Sequence, residues 1–293
     1  MKNALYIIAA GILWGLIALF VTELSAAGYT SMQVVSLRVF FAAVMLVAFL
    51  LVKDRSQLKV RLRDVPLFLG TGLLSIVFFN FCYFEAIKVI GGAAVPALLL
   101  YTSPIFVMAI SLVLFKEPLT ARKIAALILT LAGLVFVTGA FSGGETLSLY
   151  AILLGLGSGL GYALYSIFGK FLVGKYSATT ITTYTFVVAA VFSVPFSGVL
   201  GNLGPLVAQG ALVPALALSL ISTVAPFLLY TKGLQGIEAG KASILATVEP
   251  LVAAVVGVVC FHEAMTAAKL VGMVLIFAAV VVLNLPARKG SRR

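Results

Sequence analysis

Ten runs of about twenty mostly apolar residues, separated by short polar breaks, constrain this chain more than any other feature. They lie near residues 4–22, 34–52, 66–87, 93–115, 121–140, 149–169, 180–200, 210–231, 241–261 and 267–286. A helix rises about 1.5 Å per residue, so about 20 residues cross a hydrocarbon core about 30 Å thick. The separators, such as KDRSQLKVRLRD (53–64), FSGGETLS (141–148) and SGVLGNLG (197–204), are too short to hold an extramembrane domain. Charged residues make up only 10% of the chain and the mean hydropathy is +1.21, whereas a soluble domain carries roughly a quarter charged residues. Such a chain cannot cover itself in water. The expected fold is an all-α membrane protein of ten transmembrane helices.

The first run is preceded by Lys2 and followed by the small residues Ser25, Ala26 and Ala27, as in a cleaved leader. Its apolar stretch, ALYIIAAGILWGLIALFV, is longer than a leader's usual 7–15-residue core, and it reads as a retained helix. If the runs cross alternately, one face collects Lys2, Lys53, Arg55, Lys59, Arg61, Arg63, Lys116, Arg122, Lys123, Lys170, Lys175, Lys232, Lys241, Arg288, Lys289, Arg292 and Arg293. The other holds only Lys88 and Lys269, with Arg38 inside the second run. The positive-inside rule makes the basic face cytoplasmic, with both termini there. The net charge of +11 is then a topology signal, and no aromatic-interleaved basic patch supports nucleic-acid binding. Cys82 and Cys260 fall in runs from different halves and read as core residues. A single histidine, His262, excludes a histidine-based metal site.

The chain also repeats itself. FKEPLTARK (115–123) returns as FHEAMTAAK (261–269), 146 positions on, and Pro104 and Pro250 each precede the shared glutamate by 13 residues. Tyr29-Thr30-Ser31 is echoed by Tyr176-Ser177-Ala178, and Gly11-x-x-Trp14 by Gly159-x-x-Tyr162. Two tandem units follow, residues 1–145 and 146–293, of five runs each. Five is odd, so the second unit enters the membrane from the opposite face. Inverted repeats can exchange conformations, which turns a cavity open on one side into one open on the other. A solute site is expected between the halves, near the midplane.

Arg38, the stretch SPIFVMAISLVLFKEPLTARKIAALILTLAGLVFVTG (103–139) and the stretch EPLVAAVVGVVCFHEAMTAAKLVGMVLIFAAVVVLNL (249–285) resemble the EamA-type repeats of the drug/metabolite transporter superfamily. The resemblance covers nearly the whole chain. It implies a 5+5 basket in which helices 1, 3, 4, 6, 8 and 9 line a central cavity and 2, 5, 7 and 10 support it. Within the superfamily the chain is most similar to exporters of aromatic and neutral amino acids.

The residues themselves suggest a substrate site. Pro104, Pro226 and Pro250 remove backbone donors at membrane depth and free the carbonyls of Leu100, Ser222 and Ala246, which predicts bends. Glu249 lies close to mid-membrane, where an acidic side chain costs about 2.5–3.5 kcal/mol unless it faces a cavity or partner. It reads as a proton-coupling site, an anchor for a substrate ammonium, or a structural carboxylate bonded between helices. Its counterpart in the first half is Ser103. Trp14, Phe79, Tyr83, Tyr101, Tyr162 and Tyr165 lie inside the runs rather than at their ends, where interfacial aromatics would sit. With Asn80, Ser222, Thr223 and Thr247 they suit a pocket for a small, partly apolar solute, although each aromatic taken alone reads first as packing against a neighbouring helix. Arg38 is expected to snorkel from the end of a peripheral helix, in a structural role. Glu23 and Glu85 read as solvated helix-end carboxylates, and Lys232, Glu238 and Lys241 as a loop or a gate. In GLGSGLG, the pairs Gly155/Gly159 and Gly157/Gly161 permit close helix packing.

No histidine pair, G-x-S-x-G or aspartate cluster marks a membrane enzyme, and no phosphate-binding loop marks a pump. A channel would need a polar ring or a repeated filter, which the sequence lacks. Too few buried cations are present for a phosphorylated substrate; the resemblance implies a carboxylate deep in helix one for exporters of cationic drugs, whereas here Trp14 occupies mid-helix and Glu23 lies only at its end. The expected function is export of small metabolites, aromatic and neutral amino acids first, by alternating access across the inner membrane. The alternatives are another small solute or drug of the same superfamily, or a passive channel. Expected partners are a small-molecule substrate and the lipid bilayer, with no cofactor, no metal, no nucleic acid and a monomeric state.

Overall fold

The computed structural model describes residues 2–140 and 148–285. Ten helices follow one another: α1 Lys2–Ala26, α2 Ser31–Lys53, α3 Leu62–Ile90, α4 Ala94–Leu114, α5 Ala121–Thr138, α6 Leu149–Leu172, α7 Ala178–Ser193, α8 Leu212–Leu234, α9 Ala239–Cys260 and α10 Ala267–Asn284. All but α7 have at least 18 residues and the apolarity to cross a membrane. Sequence placed the seventh run to residue 200; α7 ends at Ser193 because Pro195 cannot extend the hydrogen-bonded ladder. Residues 141–147, Arg288, Lys289, Arg292 and Arg293 lie outside the described residues. Large apolar side chains remain exposed along the helices, among them Val52, Val113, Val191 and Val213, as a lipid-facing surface requires. Cys260 is one correction: it is exposed at the end of α9, while Cys82 is buried as expected, because the last turn of α9 has no neighbour over that face.

Polar contacts gather the alternate connections at one end. Lys175 donates to Asp64 at 2.6 Å, and Lys123 pairs with Glu238. Lys170 donates to the carbonyls of Leu234 and Ile237 at 3.2 and 2.6 Å, and Arg122 to that of Leu285 at 2.9 Å. Asn3 abuts Gly233 and Gly236. The start of α1 and the end of α10 therefore share this end of the molecule, here called the terminal end.

The packing treats the two halves alike. Helix α2 packs on α7 and α5 on α10; α1 packs on α8 and α9, as α6 packs on α3 and α4. The repeated nonapeptide has the same backbone in both places. Among the described residues, Lys116 and His262 are the two non-glycine residues with positive φ, at 55° and 56°. A left-handed turn costs an L-residue about 1–2 kcal/mol, so its occurrence at matched positions reflects a shared helix ending. The N–H groups of Phe115 and Glu117 both donate to Ser111, and those of Phe261 and Glu263 both donate to Gly257. Thr120 and Thr266 then cap the next helix, accepting from the N–H of Lys123 and Lys269.

Several helices are broken at mid-depth. Helix α4 is interrupted at Tyr101 and Thr102, just before Pro104, and α9 at Thr247, before Pro250. Helix α8 widens into π-type turns over Leu220–Val224, before Pro226, and α3 does so over Gly70–Val77. Each proline removes a ladder bond and the turn ahead of it loosens. Threonine hydroxyls add a bond within two of these turns: Thr102 donates to the Leu99 carbonyl and Thr247 to that of Ile244, each at 2.6 Å. The repeated glycines admit these bends. A Cβ at Gly11 would lie 2.9 Å from the Ala246 carbonyl oxygen, and one at Gly159 would lie 2.8 Å from that of Leu99.

The outer pair α5–α10 rests on another close approach, since a Cβ on Gly133 would lie 2.7 Å from the Gly272 carbonyl oxygen. Replacing Gly133 by Val should destabilise the protein by about 1–3 kcal/mol through overpacking. Thermal unfolding in detergent should show a lower midpoint for Gly133→Val and an unchanged one for the exposed control Val274→Leu.

Candidate functional site

The bend in α9 presents Glu249 to the interior between the halves. Tyr162 of α6 donates its hydroxyl to Glu249 Oε2 at 3.0 Å, and the Tyr101 hydroxyl, from the bend in α4, lies beside the same carboxylate. Tyr83 of α3 stands nearby, edge-on to Phe84 at 5.3 Å. Glu249, Tyr83, Tyr101 and Tyr162 are all half-buried.

A floor of aromatic rings closes this group off from the terminal end. Trp14 meets Tyr162 edge-on at 6.3 Å, Phe227 at 5.0 Å and Tyr230 at 5.4 Å. Phe79 meets Tyr162 at 5.5 Å, and Tyr165 meets Phe227 at 4.9 Å. Trp14, Phe79, Tyr165, Phe227 and Tyr230 are buried, and the gap left among them is about 20 Å³. That is room for about one water molecule. Two short hydrogen bonds tie the floor together, Tyr165 with Thr231 and Ser166 with Tyr230, both at 2.6 Å. The aromatic floor thus lies between the half-buried carboxylate and the terminal end.

The sequence-predicted residues divide into three groups. Glu249, Tyr83, Tyr101 and Tyr162 form the polar group, while Trp14, Phe79 and Tyr165 form the floor. Asn80, Thr223 and Thr247 spend their polar atoms within their own helices, donating to Ile76 at 2.7 Å, Leu218 at 3.0 Å and Ile244 at 2.6 Å. Ser222 is fully buried with no partner for its hydroxyl. The bends expected at Pro104, Pro226 and Pro250 lie in the turns before those residues.

Arg38 corrects an expectation. It does not snorkel: it sits two turns into α2 with 7% exposure, its Nε without a protein partner, and its charge acts on Glu249 and Tyr162. Helix α2 packs on α7, α8 and α3, and Arg38 is buried within this packing. Helix α7, expected to be peripheral, reaches the floor through Phe186, whose ring lies 5.0 Å from Phe227. Sequence reading also missed Phe227 and Tyr230, although their one-turn spacing behind Pro226 was a usable signal.

This fold and site define a multi-pass membrane transporter of small solutes. The chain belongs to the EamA-like transporter family, whose model matches it twice, over residues 1–139 and 149–285. An uncharacterized transporter of Archaeoglobus fulgidus is 30% identical over 280 residues, 94% of each chain. The uncharacterized inner membrane transporter YicL of Salmonella typhimurium is 25% identical over 299 residues, covering 99% of this chain and 98% of that protein. A crystal structure of 19% sequence identity superposes over 96% of both chains with a TM-score of 0.78, which shows the shared fold.

The buried Ser166–Tyr230 bond allows a test of the floor. Ser166→Ala and Tyr230→Phe should each destabilise by about 1–3 kcal/mol, since each leaves a buried hydroxyl unpaired. Thermal unfolding of the double variant should show a loss smaller than the sum of the two.

Proposed function

We propose that the protein exports small zwitterionic solutes, aromatic and neutral amino acids foremost, across the cytoplasmic membrane by alternating access. The observation that carries this reading is a half-buried carboxylate, Glu249, bonded to Tyr162, and a buried guanidinium, Arg38, with no ion pair between the two, above an aromatic floor. A substrate ammonium matches the Glu249–Tyr101–Tyr162 group, a substrate carboxylate matches Arg38, and an apolar or aromatic side chain matches the rings. A lone cation would leave Arg38 unanswered, and a phosphorylated metabolite would meet an acidic site. The basic terminal end faces the cytoplasm, so the aromatic floor stands between the carboxylate and the cytoplasm in this conformation.

A passive channel is the rival from another class, and a drug or other metabolite the rival within it. The sealed aromatic floor favours a carrier over a channel. Proton coupling, where it operates, runs through Glu249; downhill facilitation needs no ion. Flux of a panel of amino acids, amines and organic acids into proteoliposomes distinguishes these readings. Saturable uptake of aromatic or neutral amino acids, with counterflow, is expected. Uptake linear in concentration would indicate a channel, and no amino-acid flux by folded protein would refute the substrate assignment. Arg38→Met and Glu249→Gln should each reduce flux at low substrate by roughly tenfold or more. An unchanged pH dependence in Glu249→Gln would remove that residue from coupling.

A further inference from the structure

The repeated nonapeptide contains a glutamate whose two copies are placed differently. Glu117 is buried, at 7% exposure, and accepts from the N–H groups of Ala239 and Gly240 at 2.8 and 3.1 Å. It clasps the first turn of α9, in the other half of the chain, at the terminal end. Around it Lys123 pairs with Glu238, which precedes that turn, and Lys170 binds the carbonyls of Leu234 and Ile237. Gly240 allows the approach, since a Cβ there would lie 3.0 Å from Met108 Cγ.

Applying the 146-residue offset, the mate of this contact joins Glu263 to Ala93 and Ala94, where α4 begins at the opposite end. That contact is unmade. Glu263 is 52% exposed, folds back over Gly257 and bonds Lys269 of its own half at 2.7 Å. Among the described residues no side chain accepts from the N–H of Ala93 or Ala94. The packing agrees: residues 239–246 of α9 lie against residues 103–114 of α4, whereas their equivalents, 94–100 of α4 and 248–260 of α9, have no comparable contact.

We infer that Glu117 and Glu263 are alternating latches, each fastening the opening turn of the opposite half's bent helix, so that one end is clasped while the other is free. The inference rests on the alternating-access reading above and adds the residues that hold each state. The helix opening supplies aligned N–H donors for a carboxylate, and closing one end draws α4 and α9 apart at the other. The two latches are unequal for a reason visible in the repeat. Lys123 has its own acid, Glu238, which leaves Glu117 free for α9; the mate of Glu238 is Gly92, so Lys269 takes Glu263 instead. The terminal-end latch is therefore the stronger, and the conformation described here is the resting one.

Pulsed electron–electron distance measurements test this without measuring transport. With Cys82 and Cys260 replaced by alanine, spin labels at Leu119 and Gln235 report the terminal end, and labels at their repeat mates, Met265 and Val89, report the other. Glu117→Gln should lengthen the first distance and shorten the second, shifting the ratio of the two states by roughly ten- to a hundredfold. Glu263→Gln should leave the resting distances unchanged and deplete the minor state. Gly92→Glu, an exposed-end change that gives Lys269 an alternative acid, should shift the balance in the direction of Glu117→Gln. Identical distance distributions in wild type, Glu117→Gln and Gly92→Glu would overturn the latch. Wild type that exchanges states while Glu117→Gln leaves their ratio unchanged would sink the latch alone; wild type with one state under all substrates would sink alternating access and the latch with it.

Discussion

Every backbone donor and acceptor inside a bilayer must be satisfied by the protein, and the architecture follows from that requirement. Unbroken helices meet it trivially but make a featureless bundle. Here the interruptions are concentrated where two glycines let neighbouring helices press on the opened turns, Gly11 on the bend of α9 and Gly159 on the bend of α4. Threonine hydroxyls add a hydrogen bond to the preceding turn at both places, Thr102 to Leu99 and Thr247 to Ile244. The bends then turn Glu249 and Tyr101 inward, and Trp14 and Tyr162, each one turn beyond its glycine, meet across the middle. The polar group exists because the backbone can be bent there without leaving it unpaired.

The charges form two separate systems. At the terminal end Glu117 and Lys123 of the first half are stitched to Ala239, Gly240 and Glu238 of the second through backbone bonds and an ion pair. At mid-depth Arg38 and Glu249 are held apart, one orphaned and the other bonded by tyrosine. A buried opposite-charge pair left unjoined is costly unless something else completes it. That cost is the physical argument for a zwitterionic guest, and it sets this site apart from the packed aromatic floor beneath it.

Much of the architecture was legible in the residues. Run length and hydropathy marked ten crossings, and the error at α7 came from counting apolar residues past Pro195. Basic residues marked which connections share an end, as the Lys175–Asp64 and Lys123–Glu238 pairs bear out. The matched prolines pointed to bends that occur a turn earlier than the prolines themselves, because the lost bond belongs to the preceding turn. Arg38 was misread because an end-of-helix position says nothing about which way the side chain faces. Phe186 and Tyr230 were missed because period and depth do not say which helix will be its neighbour.

Sequence by itself determined the solvent, the number of helices, the duplication and the chemistry available at mid-membrane, because these depend on composition and spacing along one chain. Only the tertiary structure decided which hydroxyl meets Glu249, that the aromatic rings close into a floor, and that one copy of the repeated glutamate is docked while its twin is exposed. The two nonapeptides share five of nine residues and the same turn, with matched φ at Lys116 and His262, so the backbone alone does not separate them. The difference lies in what the other half presents, an acid at Glu238 and a glycine at Gly92, and that comparison exists only once the halves are packed together.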